Sequence, residues 1–221
     1  RSSGWRRRCS AGLHSLFSNG GDSDMERKKM LHTLQEARDC LGSYDEFPTL
    51  PAGTDPMPYL SRNRVPQPFY VVSETDRMIL ALAGRSTLLL PGTNPPEMEV
   101  ALGEAVYIPA GQASRLLPDG ETVHLTYKAE PPGWEAAVWF CQGCSAEVFR
   151  HEFNTREVLA QDGYWQACEL FNTDATRRTC RSCGAQHPPA NLEDIHWPAV
   201  AERIRACTPS PAPVAAPVAV A

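Results

Sequence analysis
The sequence predicts a mainly β protein, a small antiparallel β-barrel or jelly roll, with a helix before it and a double cysteine knuckle enclosing a helix after it. Three observations carry that prediction. Between Phe69 and Phe140 the chain runs through short apolar segments (FYVV, MILALA, STLLL, EVAL, AVYIPA, VHLTY, AAVWF), each bounded by Gly, Pro, Asn or Asp. Strands closed by turn residues read this way. Two Cys-x-x-Cys pairs follow, and helical periodicity is confined to the flanks.

In chain order, residues 1–24 form an Arg/Ser-rich tail. Arg1, Arg6, Arg7 and Arg8 occur with several Ser and no acidic residue before Asp22. This is the composition of an organellar (mitochondrial) transit peptide, and equally of an ordinary basic end in a cytoplasmic chain. Ser23 and Glu26 have capping-box spacing, and Met30, Leu34, Ala37 and Leu41 recur at helical intervals until Gly42. A helix over about 25–41 follows, within a segment 25–45. Six prolines between Glu46 and Pro68 mark residues 46–68 as an extended arm. Residues 69–140 are the barrel, and 141–190 hold the knuckle with a helix capped at Asn154 or Thr155 and weakened by Gly163. A short helix in 191–207, interrupted or begun at Pro198, precedes a disordered Pro/Ala tail, 208–221.

With 221 residues there is room for one domain of ordinary size plus tails, or for two small ones. No stretch approaches the ~20 apolar residues of a membrane-spanning helix. The net charge of -5 lacks the basic excess that phosphate binding requires, which argues against nucleic acid as a partner.

Cys141 and Cys144 stand 35 residues from Cys180 and Cys183. A Cys-x-x-Cys turn lets two thiolates converge on one ion, so two of them complete a tetrahedral four-sulfur site with no position left for substrate. Structural zinc is the first choice, and a single iron fits the same cage. Cys9, Cys40, Cys168 and Cys207 are scattered singly, which with thiolate ligands points to a reducing, intracellular compartment. Cys168 reads as a small core residue.

The stretch GEAVYIPAGQAS, from Gly103 to Ser114, fits the pattern G-x5-P-x-G-x2-H except that Ser114 replaces the final His. Together with YVVSETDRMILALAG, PPGWEAAVWFCQGC and ATRRTCRSCGAQHP it resembles bacterial-type 3-hydroxyanthranilate 3,4-dioxygenase over about residues 55–190. That family is a cupin with a C-terminal, rubredoxin-like four-cysteine metal site, and its catalytic Fe(II) is held by two His and one Glu. The resemblance carries those three positions to Val71, Ser114 and Arg77, and the family's substrate residues to Gln67, Pro118 and Tyr127. Val has no donor atom, Ser is a weak ligand, and a guanidinium repels a ferrous ion. No catalytic iron is expected.

Arg77, Ser114 and Tyr127, with Gln67, then form an iron-free pocket suited to a small carboxylate, unless Arg77 fills the cavity and pairs with Asp76 or Glu74 or reaches solvent. If Tyr127 faces inward, His124 faces out. His151 and His187 flank the knuckles as surface or supporting groups, and His14, His32 and His196 lie outside the barrel. Three function classes follow. The first is a catalytically inactive, dioxygenase-like cupin serving as an accessory subunit of a protein assembly or a homodimer. The second is a small-carboxylate binder or redirected enzyme, and the third an active ring-cleaving dioxygenase with another ligand set.

Overall fold
A computed structural model describes Ala37 and residues 41–207, residue 52 excepted. The expected tails 1–24 and 208–221, and most of the expected 25–45 helix, lie outside the described residues. Ala37 is helical and its carbonyl accepts the amide of Leu41 at 3.1 Å, while residues 43–44 form a turn.

Among the described residues eleven strands follow: β1 (Phe47–Pro48), β2 (Met57–Asn63), β3 (Tyr70–Ser73), β4 (Arg77–Ala83), β5 (Arg85–Leu89), β6 (Glu97–Ala101), β7 (Ala105–Ile108), β8 (Arg115–Pro118), β9 (Thr122–Lys128), β10 (Trp134–Phe140) and β11 (Glu147–Asn154). Helix α1 spans Ala160–Thr173, a 3-10 turn spans Ala175–Arg178, and helix α2 spans Trp197–Cys207. One sheet has the order β1-β2-β9-β4-β7, and two others run β11-β10-β3 and β6-β5-β8. The latter two are joined where Val71 and Ser114 exchange amide bonds of 2.8 and 3.0 Å. Every paired strand is antiparallel. This is the mainly β, antiparallel barrel class that the sequence predicts, with the four-cysteine cluster and a helix on its C-terminal side.

Two apolar layers hold it together. Between the sheets Val71, Ile79, Leu88, Val100, Ile108 and Leu116 are buried together. On the same side, α1 lays Phe171 flat on Trp139, with ring centroids 4.3 Å apart and planes 9° from parallel, and Tyr164 against Phe69. Aromatic side chains of this kind bury large apolar areas. The second layer lies on the outer face of the five-stranded sheet, where Leu60 and Val123 pack with Phe47, Leu41 and the α2 residues Val200 and Ile204. Around β2 and β9 the sheet is therefore covered on both faces, while Met78 and Tyr107 leave the outer face exposed on the β4–β7 side.

The structure refines the expected elements. The Pro-rich 46–68 segment is extended and lies on the sheet, because β2 within it pairs along its length with β9. Pro58 is tolerated because its carbonyl accepts the amide of Thr49. In an antiparallel ladder the nitrogen of a residue faces the same side as its carbonyl, so the missing N–H faces β1 and costs no bond to β9. Beyond Cys144 the chain first forms β11, paired with β10 from Trp134 to Phe140, and helix comes later. Asn154 accepts the amide of Arg156 in a turn, and α1 begins at Ala160 after Leu159, which provides no side-chain cap. Helix α2 begins at Trp197, so Pro198 sits in its first turn, where a missing amide is harmless.

Candidate functional site
The first candidate site is the cysteine cluster, built by two local turns of the same design. In each, the amide of the first Cys donates to a carbonyl five residues on, and the amide four residues on returns a bond to the carbonyl of that Cys. Cys141 pairs so with Ala146 and Ser145, and Cys180 with Ala185 and Gly184, all at 2.8 Å. The fourth residue after the Cys has a left-handed backbone in both turns, φ 60° at Ser145 and 73° at Gly184. Glycine suits that conformation and Ser tolerates it less well. Each turn closes a strand pair, Phe140 with Glu147 and Thr179 with Gln186.

The four Sγ atoms lie within 4.8 Å of one another, with Cys141–Cys183 and Cys144–Cys180 at 3.6 Å. A tetrahedral ion with bonds of about 2.3 Å places its sulfurs about 3.8 Å apart. The donor set and spacing thus fit a metal ion. Amides also favour the thiolate: that of Cys183, first, and that of Ser182 bring the Cys180 thiol down to about 6 against the effect of burial. Cys141 and Cys180 are buried while Cys144 and Cys183 are exposed, so the cluster sits at the surface. Cys168 is buried in α1 and is not part of it.

The second candidate is the barrel interior around Arg77. Its side chain is 5% exposed, and Nη2 donates to the Val71 carbonyl at 3.1 Å and to Ser114 Oγ at 2.9 Å. The three positions that the resemblance assigns to iron ligands therefore do converge, but as a guanidinium plug bonded to a carbonyl and an alcohol. Arg77 pairs with neither Asp76 nor Glu74. Asp76 accepts the amide of Ala110 at 2.8 Å, and Glu74 that of Trp134 at 2.8 Å. Gln67 is buried, and its Oε1 accepts the Leu116 amide, which ties it to β8.

Tyr127 does not join this pocket. It pairs across the sheet with Met78, which is 38% exposed, so it lies on the outer face, and its neighbour Lys128 is the residue that turns inward opposite Arg77. The same register overturns the expectation for His124, which is fully buried and inward. Its Nδ1 lies 3.0 Å from Asn63 Nδ2 and its Nε2 lies 3.3 Å from Ser86 Oγ. Burial pushes its pKa down to about 4. It stands four residues from Lys128 on β9, roughly 13 Å along the strand, too far to share an ion with Arg77's pocket.

Lys128 brings in groups that the sequence reading missed. Its Nζ donates to Glu46 Oε2 at 2.7 Å, Glu135 Oε1 at 2.9 Å and Tyr164 OH at 3.2 Å, and the Tyr164 hydroxyl donates to Glu135. Burial opposes the charge of Lys128, but Glu135 and Glu46 outweigh it and hold the lysine above its ordinary pKa. Burial is the main influence on both acids: it prevails at Glu46 and raises it, while at Glu135 the lysine prevails and lowers it. With Arg77 across the β4–β9 pair, two cations and two carboxylates make a buried quartet of zero net charge. The polar alternation Thr122, His124, Thr126, Lys128 in β9 is the signal that would have found it.

No family model and no curated protein matches this chain. Among solved structures it shares shape with a cupin-2 domain protein from Shewanella frigidimarina (14% identity, TM-score 0.32, covering 37% of this chain and 78% of the other). It also shares shape with hydroquinone 1,2-dioxygenase from Sphingomonas sp. TTNP3 (12% identity, TM-score 0.39, 50% and 80% covered). A third is a sugar phosphate isomerase of the cupin superfamily from Silicibacter pomeroyi (16% identity, TM-score 0.32, 38% and 55% covered). Among the described residues no helix is long and apolar enough to cross a membrane.

Proposed function
We infer that this chain is a 3-hydroxyanthranilate dioxygenase-like cupin without iron chemistry, serving as a structural or accessory subunit whose four-cysteine centre holds zinc. The observation that carries the reading is the Arg77 guanidinium standing between Val71 and Ser114. An extradiol-type iron needs several converging neutral or anionic donors and open faces for substrate and O2. Here the corresponding space holds a cation. A closed four-thiolate centre stabilises the fold and does not act as a Lewis acid, because no coordination position remains for a substrate. The Arg/Ser-rich residues 1–21 support a mitochondrial address.

Metal content per purified chain, with oxygen consumption on 3-hydroxyanthranilate, tests this. One zinc, no iron and no turnover are expected, and Cys180→Ser loses the zinc together with cooperative folding. Stoichiometric iron outside the cysteine cluster overturns the loss of catalysis. A small free dimer on native purification counts against the assembly role.

A further inference from the structure
The groups around Lys128 have a feature that a purely structural salt-bridge cluster does not need. Three members belong to the barrel: Lys128 on β9, Arg77 on β4 and Glu135 on β10, with Tyr164 of α1 as hydroxyl partner of Lys128 and Glu135. The fourth, Glu46, comes from the turn before β1. Its side chain is 12% exposed, whereas those of Lys128 and Glu135 are 1% and 0%. Glu46 has a left-handed backbone at φ 46°, which a non-glycine residue adopts only at some cost.

The backbone around it is firmly pinned. Gln161 of α1 donates to the carbonyls of Asp45 and Glu46 at 2.9 Å, and Trp197 of α2 donates to that of Tyr44 at 2.7 Å. The scaffold therefore presents one carboxylate to the interior from the rim, and only its side chain need rotate to withdraw it.

One polar group on the interior side is unused, and a second is a cation beside it. Ser73 is 3% exposed, faces Glu135 across the β3–β10 pair, and its Oγ has no hydrogen-bond partner among the described residues. Arg77, cross-strand from Lys128, makes its two hydrogen bonds to Val71 and Ser114 through Nη2. A buried hydroxyl normally has a partner, and a guanidinium carries five donors. Without Glu46 the interior would hold Arg77 and Lys128 against Glu135 alone, one uncompensated positive charge in a low-dielectric space.

We propose that the position filled by the Glu46 carboxylate is a binding site for a small exogenous monocarboxylate, recognised by Lys128 with Arg77 and Ser73 beside it, and that Glu46 is its built-in competitor. The carboxylate enters at the rim as the Glu46 side chain swings toward solvent. Charge neutrality is kept by the exchange, since one anion replaces another. Phosphate brings extra charge and size that the quartet does not compensate, and chloride, a single atom, cannot span two donors as a carboxylate does. This inference rests on the reading of the barrel as free of iron.

Chemical rescue in the full-length protein tests it. Glu46→Ala is melted in formate, acetate, chloride and phosphate at equal ionic strength, beside the wild type. The variant is expected to melt below the wild type and to be restored, saturably, by formate or acetate and not by chloride or phosphate. Calorimetric titration with acetate should give an affinity at least about tenfold weaker for the wild type than for the variant, because an internal competitor reduces apparent affinity by the fraction of open sites.

Equal rescue by all anions, or none in a variant that circular dichroism shows to be folded, overturns the site. If Glu46→Ala does not fold, the isosteric Glu46→Gln is titrated instead, and absence of carboxylate binding there overturns it equally. Iron found in the same wild-type samples would instead overturn the reading beneath it, so the two failures are separable.

Discussion
His124 is neutral in the native barrel, and its pH response follows from that. Its pKa lies near 4 when folded and at 6.5 when exposed. Between those values the unfolded chain binds a proton that the native state refuses, so stability falls as pH drops from 6.5 toward 4, by about 3 kcal/mol in all. Buried Asp45 works in the opposite direction over the same range, since burial raises its carboxyl from 3.8 to about 6 and the folded state keeps a proton that the unfolded one releases. The histidine is therefore isolated by difference. The stability of wild type minus that of His124→Gln, from urea unfolding, should shrink by roughly that 3 kcal/mol on going from pH 7 to pH 4. A gap independent of pH would show that His124 is not held neutral.

At the scale of one element, α1 shows why glycine sits where propensity disfavours it. Gly163 is buried against Phe153 of β11, and a Cβ placed on it would come within 2.5 Å of the aromatic ring. Gly163→Ala gains about 1 kcal/mol of helix propensity, yet it must displace a ring already packed on Tyr164. Overpacking of this kind costs about 1–3 kcal/mol, so a net loss of stability is expected by thermal melting. A variant more stable than wild type would mean that α1 and β11 are not in this contact.

The cysteine turns work at the same scale and were legible in the sequence, because spacing within each turn sets their geometry and the strand pairs Phe140–Glu147 and Thr179–Gln186 only close them. Strand β11 was not legible. Its residues alternate without a clean apolar face, Phe149, His151 and Phe153 against Val148, Arg150 and Glu152, and its pairing with β10 is a long-range fact.

At the scale of the whole molecule, Lys128 ties three regions together: the turn before β1 through Glu46, the barrel through Glu135, and α1 through Tyr164. Removing one partner from a buried ion cluster leaves the others uncompensated. Lys128→Met should therefore destabilise the protein by about 3–5 kcal/mol and expose the 41–47 segment to proteolysis together with α1. Loss confined to the segment, with α1 still protected from hydrogen exchange, would contradict that coupling.

The antiparallel β class, the turns that bound the strands and the grouping of the four cysteines could all be read from the chain alone, since each depends on local pattern or on residue chemistry. Which face of β9 turns inward was decided only by the tertiary structure. Apolar residues ordinarily mark the buried side of a strand, so Val123, Leu125 and Tyr127 read as interior. Here α2 and the residues near Leu41 cover the outer face of that sheet with a second apolar layer, which takes the Val123 side. His124, Thr126 and Lys128 are left to the interior, where Asn63, Ser86, Glu46 and Glu135, brought from distant parts of the chain, satisfy His124 and Lys128. A strand buried on both faces carries no local sign of which side is which, and only the partners that each side meets can settle it.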